Sequence, residues 1–338
     1  MSIAKKKKKN IVVIGGGTGT HTVLRGLVAY HETIATTAIV TMADSGGSTG
    51  RLRDEFGHLP VGDVRMALAA LASGDDEHER LLREVFLHRF ATNGDLSGHT
   101  FGNLFLVTLR EVLGSEAEAI AAASRILKLR GRVVPVTYTP TDLVATYADG
   151  VMVRGEHAID TPATDRTCVR ITTLTAASTV TISDEAAAAI AAADLVVLGP
   201  GDLYTSVLAN CVVTGVPKAI QNTSAPIVYV ANLMTRRGQT DGMSVADHTA
   251  TISQYLGRQP DAVIVNTTAF PPALVDKYAA EDEYPVSFDP TVMQSHCLTA
   301  DLLARTEVVT KAGDTVRRSL LRHDSDALAN VLCSVLKQ

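Results

Sequence analysis

Short apolar runs alternate with amphipathic stretches along most of the chain. Ile11–Ile14 is the first run, and Val23, Leu24, Leu27 and Val28 recur after it at helical spacing. This predicts a strand over 11–14 and a helix from about His21 to Tyr30. A second strand is expected over 37–43. Helices are expected at 63–73, 77–90, 99–113 and about 116–128, the last with Ser115 and Glu118 at capping-box spacing. Between about 133 and 180 the chain turns rich in β-branched residues, with a hairpin signal at Asp149-Gly150, and predicts a small β-rich insertion. Alternation then resumes with a helix at 184–193 and strands at 194–199, 227–231 and 262–265. A final strand near 315–321 and a helix from 325 close the pattern. Nearly all-apolar strands alternating with helices predict an α/β fold, its parallel sheet covered by helices on both faces. One domain is expected over 10–338, helical over about 63–130, behind a basic tail over 1–9.

In such a sheet, ligands bind outside the carboxyl ends of the strands. Small, polar and glycine residues collect after nearly every predicted strand. The first is followed by Gly15, Gly16, Gly17, Thr18 and Gly19, which open a helix. Glycines allow close backbone approach to a phosphate, and a helix start aims amides at it. The P-loop pattern is absent, and the dinucleotide fingerprint is approximate, because Thr20 stands where its last glycine belongs. After the second strand come Asp44, placed to meet a ribose hydroxyl or a phosphate-bound Mg²⁺, and Gly46, Gly47, Ser48, Gly50 and Arg51, which suit a second phosphate. Gly199, Gly201, Asp202, Tyr204, Thr205 and Ser206 form another glycine turn opening a helix, where Thr205 and Ser206 suit either capping or an anion. Asn232 follows the strand at 227–231. Asn103 lies on a helix beside His99, suited to a ligand contact or to a neighbouring backbone group. Arg322 is expected to leave the final strand at the same edge and grip a diphosphate bidentately. Asp324 or Ser325 would cap the last helix, and a phosphate on Ser325 would compete for Arg322. A bland turn explains each loop singly and explains their convergence poorly. These residues point to a nucleotide diphosphate, with an NAD(P)-dependent oxidoreductase still open, and to no particular reaction.

Composition narrows the class. The 338 residues are 46% hydrophobic with a net charge of −5, enough for a sizeable core. No apolar run approaches the ~20 residues of a membrane span. Five of the ten lysines form the block Lys5–Lys9, read as a solvated disordered arm rather than a nucleic-acid site because no aromatics interleave with it. Cys168, Cys211, Cys297 and Cys333 are scattered singly and give neither a zinc motif nor a disulfide framework. A cytoplasmic protein is expected.

Several long segments, among them "DSGGSTGRLRDEFGHLPVGDVR", "GHTFGNLFL", "ADLVVLGPGDLYTSVLAN" and "LRHDSDALA", together resemble the CofD/YvcK family in its YvcK-like (gluconeogenesis factor) branch. The resemblance runs from about residue 10 to 335. It implies a Rossmann-like fold, a UDP-sugar ligand of the UDP-N-acetylglucosamine type, and roles in gluconeogenic growth, cell shape and wall-precursor control. A homo-oligomer and a regulatory protein partner are expected with it. The CofD branch implies the alternative, a 2-phospho-L-lactate transferase acting with Mg²⁺ on a guanosine diphosphate adduct and a deazaflavin. This sequence departs from the family's paired acids: Ser45 follows Asp44, which weighs against a carboxylate-held metal. The Gly50-Arg51-Leu52-Arg53 run is the YvcK-like form.

Overall fold

Seven parallel strands carry the molecule, and the order in which they pair locates the site. The computed structural model describes residues 7–91, 93–163, 169–305 and 319–337. The first half runs β1 (Lys9–Gly15), α1 (Gly17–Val28), β2 (Ile34–Val40), α2 (Gly47–Phe56), α3 (Gly62–Leu71), α4 (Glu77–Leu87), α5 (Phe101–Leu113), α6 (Glu116–Ile126) and β3 (Arg132–Pro135). A three-stranded antiparallel sheet follows, built from β4 (Leu143–Tyr147), β5 (Met152–Arg154) and β6 (Ile171–Ala176), with the short α7 (Glu156–Asp160) between β5 and β6. The second half runs α8 (Asp184–Ala191), β7 (Leu195–Leu198), a π-helical turn (Leu203–Leu208) continuing into α9 (Ala209–Cys211), α10 (Val216–Asn222) and β8 (Ile227–Val230). It ends with α11 (Val245–Leu256), β9 (Ala262–Asn266), α12 (Pro272–Ala279), β10 (His296–Ala300) and α13 (Ser325–Val335).

The main sheet has the order β10-β9-β8-β7-β1-β2-β3. From β1 the chain winds outward through β2 and β3, then returns to the other side of β1 and winds outward from β7 to β10. The order therefore reverses between β1 and β7, the switch point at which an open parallel sheet leaves a crevice. Strand alternation fills both faces. Ile11, Val13, Leu195 and Val197 join Val23, Leu24 and Leu27 of α1, Leu68 of α3 and Leu328 of α13 in one core. Val12, Ile14, Val196 and Leu198 join Ile190, Ile220 and Ile252, together with Leu143 and Tyr147 of the small sheet, in the other.

The α/β class, the parallel sheet and the small β-rich insertion are as the sequence predicts; several boundaries are not. β1 starts at Lys9, whose ammonium pairs with Asp194 at 2.8 Å, so the tail is shorter than 1–9; residues 1–6 lie outside the described residues. The insertion begins after β3, because 132–135 pair with β2 in the main sheet. Helix α2 occupies a stretch read as loop: its charged sequence buries Leu52 as its one large apolar side chain, too weak a stripe to show a helical period. Among the described residues the last strand is β10, a half-exposed edge strand without an apolar run. Of the strand expected at 315–321, residues 315–318 lie outside the described residues and 319–321 are not strand; just after them, Leu303 and His323 form an antiparallel bridge beyond the end of β10. Asp324, not Ser325, caps α13, accepting from the amides of Asp326 and Ala327 at 3.0 and 2.8 Å. No helix among the described residues is long and apolar enough to cross a membrane.

Helix α13 packs on α1 through Gly26, where a Cβ would lie 2.8 Å from the carbonyl carbon of Ser325 and 2.9 Å from the Ala329 Cβ. This contact seats the start of α13, and the loop before it, beside α1. Gly26→Val is expected to destabilise the protein by about 1–3 kcal/mol, the usual cost of overpacking. Urea unfolding checks it; a midpoint at or above the wild-type value contradicts the packing described.

Candidate functional site

The loops after β1 and β7 interlock. Asn210, fully buried, donates from Nδ2 to the Gly15 carbonyl at 3.2 Å and to the Ser206 carbonyl at 2.8 Å. A Cβ on Gly19 would fall 2.6 Å from the Pro200 carbonyl carbon and 2.9 Å from the Gly201 nitrogen. Only a glycine lets the two backbones pass so closely. Gly17 has φ +63°, in the left-handed region that glycine enters without a Cβ penalty. From the next strand along, Asn232 donates to the Gly201 carbonyl at 2.7 Å and accepts from the Tyr229 hydroxyl at 3.0 Å. The two glycine turns and the loop after β8 thus form one rigid wall.

A crevice opens between them. Gly16, Gly17, Thr18 and Gly19 line one side; Gly201, Asp202 and Ser206 line another, joined by Asn232 and Arg322. The sequence assigned all nine, and the fold brings them together. Gly199 lies behind the wall. Tyr204 and Thr205 turn into the core: the Tyr204 hydroxyl donates to the Ile171 carbonyl at 3.2 Å, and neither residue reaches the crevice lining. Neither Thr205 nor Ser206 caps the π-helical turn.

The second predicted phosphate loop is not part of this lining. Gly46 and Gly47 begin α2, whose Gly50 packs on the Ser45 carbonyl. Ser48 and Asn103 lie buried beneath it: Asn103 donates to Ser48 Oγ at 3.0 Å, Arg65 Nε donates to Asn103 Oδ1 at 2.9 Å, and Ser48 Oγ sits 3.0 Å from His99 Nδ1. Arg51 reaches outward to the Ser97 carbonyl at 2.7 Å. Asp44 does not line the crevice; its charge acts on a residue the sequence did not single out, Asp63 at the start of α3. The Gly17 amide donates to Asp63 Oδ1 at 2.8 Å, so a carboxylate already takes one amide of the α1 N-terminus.

Electrostatics divide the site. Burial, and then the Asp44 carboxylate, push Asp63 up to about 7 against the Gly17 hydrogen bond. Burial raises Asp44 against hydrogen bonds from the Gly46 amide and the Thr49 hydroxyl. Glu156, on α7 of the insertion, is raised to about 9 by burial and by the Asp44 and Asp160 carboxylates. It accepts from the Ser45 amide at 3.3 Å, while Ser45 Oγ accepts from the His157 amide at 2.9 Å. The opposite wall carries arginine charge paired with carboxylates. Arg236 donates to Asp160 Oδ2 at 2.7 Å and lies 3.5 Å from Glu283; burial works against its charge, but Asp202, Asp160 and Glu283 outweigh it and raise the pKa. Arg236 and Glu283 line the crevice and were missed, and Asp63 stands behind it on the Gly17 amide, because their partners lie far away in sequence; only the placement of Arg236 in a loop after a strand hinted at it. Among the described residues no group of three or more His, Cys, Asp or Glu is arranged to hold a metal ion. A more open hollow at the N-termini of α6 and α8 is lined by Glu116, Asp184 and Glu185, the wrong sign for a diphosphate.

The family model described as 2-phospho-L-lactate transferase CofD matches residues 11–303. The chain belongs to the CofD family. Its relatives include a gluconeogenesis factor of Halalkalibacterium halodurans, 42% identical over 84% of this chain and 85% of that one. The gluconeogenesis factor of Bacillus subtilis is 35% identical over 98% of this chain and 99% of its own. The crystal structure of a UPF0052 family member from Bacillus halodurans matches with a TM-score of 0.85 at 35% identity, covering 96% of this chain and 99% of that one. The resemblance to the gluconeogenesis-factor branch is borne out.

Two predictions follow from the geometry. Gly19→Ala is expected to force the glycine turns apart and reduce nucleotide affinity at least tenfold (about 1.4 kcal/mol) in a protein that remains folded. Calorimetric titration reads it, and unchanged affinity would mean the interlock is irrelevant to binding. For Glu156, the folded pKa lies above its ordinary value of 4.5, so the native state holds a proton that the unfolded chain has released. That contribution is complete below about pH 4.5 and is lost as pH rises towards about 9. Glu156→Gln keeps the acceptor for Ser45 and removes the titration. Between pH 6 and 9 the variant should lose less melting temperature than the wild type; parallel curves would place the Glu156 carboxyl in solvent.

Proposed function

We propose that the chain is a cytoplasmic nucleotide-sugar-binding regulator, with a UDP-sugar of the UDP-N-acetylglucosamine type as its ligand. The observation that carries this is the shared crevice at the strand-order reversal, walled by two interlocked glycine turns and bordered by Arg322. The diphosphate is assigned to this crevice, against the first turn of α1, with Arg322 gripping it across two oxygens. The uridine and the sugar come from the family resemblance. Roles in gluconeogenic growth, cell shape and wall-precursor control, a homo-oligomeric state and a regulatory protein partner belong to the same proposal.

Asp44 and Asp63 bear on how a diphosphate is tolerated. Two neighbouring carboxylates repel it unless protonated or neutralised by a cation. Mg²⁺ commonly uses one or two carboxylates together with phosphate oxygens and water. Asp44 and Asp63 fit that donor set, and a bound Mg²⁺ would supply charge neutralisation there.

Thermal shift with UDP-GlcNAc, GDP, NAD and NADP in parallel tests the reading, since a ligand bound only to the native state raises its stability. UDP-GlcNAc should stabilise most. GDP in first place would favour the phospholactyl transferase, and NAD or NADP in first place an oxidoreductase. Arg322→Ala should cost about 1.5–3 kcal/mol of binding, the range for a hydrogen bond to a charged group, with little change in melting temperature. Arg322→Lys should recover only part of it. Equal affinities in the three proteins would remove Arg322 from the site.

A further inference from the structure

Behind the crevice wall, a histidine stands at the end of a buried polar chain. His248 of α11 and Tyr229 of β8 are both fully buried. His248 Nδ1 lies 3.1 Å from the Tyr229 hydroxyl, which donates to Asn232 Oδ1 at 3.0 Å. Asn232 Nδ2 in turn donates to the Gly201 carbonyl at 2.7 Å. Asn232 and Gly201 line the crevice, whereas His248 and Tyr229 do not. The chain therefore runs from the core of the protein to the edge of the ligand space.

Its last member fixes its direction. A carbonyl oxygen only accepts, so the Asn232 atom facing Gly201 is the amide nitrogen and the atom facing Tyr229 is the amide oxygen. That oxygen also only accepts, so it takes the single Tyr229 proton. A lone pair is left on the hydroxyl, and His248 meets it with a proton on Nδ1. Burial holds the ring neutral, pushing its pKa down to about 4 against the Asp247 charge, so the ring has one proton to place. With that proton on Nδ1, Nε2 is a bare lone pair, and among the described residues it is buried without a partner. A proton on Nε2 instead would leave a buried donor unpaired and set the Nδ1 lone pair against that of the hydroxyl. Asn232 Nδ2 carries two hydrogens, and Gly201 takes one. No other described residue accepts the second. Turned by 180°, the same amide would set its oxygen against the Gly201 carbonyl and offer an acceptor to the crevice, the wrong sign for an anion.

We propose that His248, acting through Tyr229, is a positioning residue for the ligand: it locks the Asn232 amide so that the second N–H is offered to a diphosphate oxygen between the glycine turns. A hydrogen bond to an ionised oxygen is shorter and stronger than one between neutral groups, so the orientation of this one amide carries weight in binding. The proposal deepens the nucleotide-sugar reading and rests on it for the place of the diphosphate.

Two measurements test it. Nitrogen-15 NMR of the full wild-type chain without ligand reads the His248 ring near neutral pH, and needs no variant to fold. A protonated Nδ1 and a bare Nε2 are expected; the opposite tautomer, or a charged ring, overturns the chain. Calorimetric titration with UDP-GlcNAc, and separately with inorganic pyrophosphate, then compares wild type, Tyr229→Phe, Asn232→Ala and the double variant, each checked for fold by circular dichroism. Each single change is expected to weaken binding about tenfold, a loss of about 1.4 kcal/mol, and the double variant no more than Asn232→Ala alone. Losses that multiply to about a hundredfold would show Tyr229 acting otherwise than through Asn232, and overturn the proposal. So would an Asn232→Ala protein matching the wild type within about twofold, roughly 0.4 kcal/mol. His248→Asn, which keeps an N–H donor near the place of Nδ1, should retain more affinity than His248→Leu; equal losses in the two folded proteins contradict a role through the hydrogen bond. Pyrophosphate binding without UDP-GlcNAc binding removes the nucleotide-sugar reading and leaves the cycle to be read on pyrophosphate. Binding of neither to the wild type overturns the positioning role as well.

Discussion

The close passage of two backbones at the reversal of strand order is the constraint on which the site depends. Gly19 must lie against the Pro200–Gly201 peptide, and Asn210 must reach the Gly15 carbonyl from the far side. Both conditions require β1 and β7 to be neighbours in register, as they are from Ile11 opposite Leu195 to Ile14 opposite Leu198. Two cores on the two faces of the sheet hold that register. Shifting either strand by one residue would exchange the residues that face each core and spoil the packing of both. The fold and the site are therefore specified by the same residues: apolar strands fix the neighbours, and glycines allow the loops that leave them to meet.

Charge is distributed to suit this geometry. Asp44, Asp63 and Glu156 crowd one side and retain protons at pH values where free carboxyls have lost them. Arg236 and Arg322 stand on the other side. The small antiparallel sheet couples the two: Glu156 and His157 hold Ser45, while Asp160, four residues on, accepts from Arg236 and from Gln239 at 3.2 Å. A five-residue helix thus ties the loop after β2 to the loop after β8. Ser45 makes these contacts with a hydroxyl and an amide and adds no further charge beside these carboxylates.

Much of the fold was legible because buried parallel strands are written as unbroken apolar runs: β1, β7, β8 and β9 are all of this kind. β10 was not, since an edge strand such as His296–Ala300 is half-exposed and shows neither a run nor clean alternation. β3 resembled the insertion in its β-branched content, and only pairing with β2 assigns it to the main sheet. In the site, residues that act through backbone geometry could be read from local sequence, which is why the glycine turns were found. Asp63 and Glu156 act through partners 46 and 111 residues away, and no local pattern carries that information. Tyr204 and Ser48 were assigned by their neighbours in sequence, while the fold turns them towards the core and the underside of α2.

Hydrogen exchange of the full chain with and without saturating UDP-GlcNAc tests the central claim most directly, because it reads both glycine turns in one experiment. Binding across the interlocked loops predicts new protection in 16–20, 200–206 and 232–236 together, with the insertion strands of 143–176 little changed. Protection confined to one glycine turn, or found only away from both, would contradict a ligand held between them.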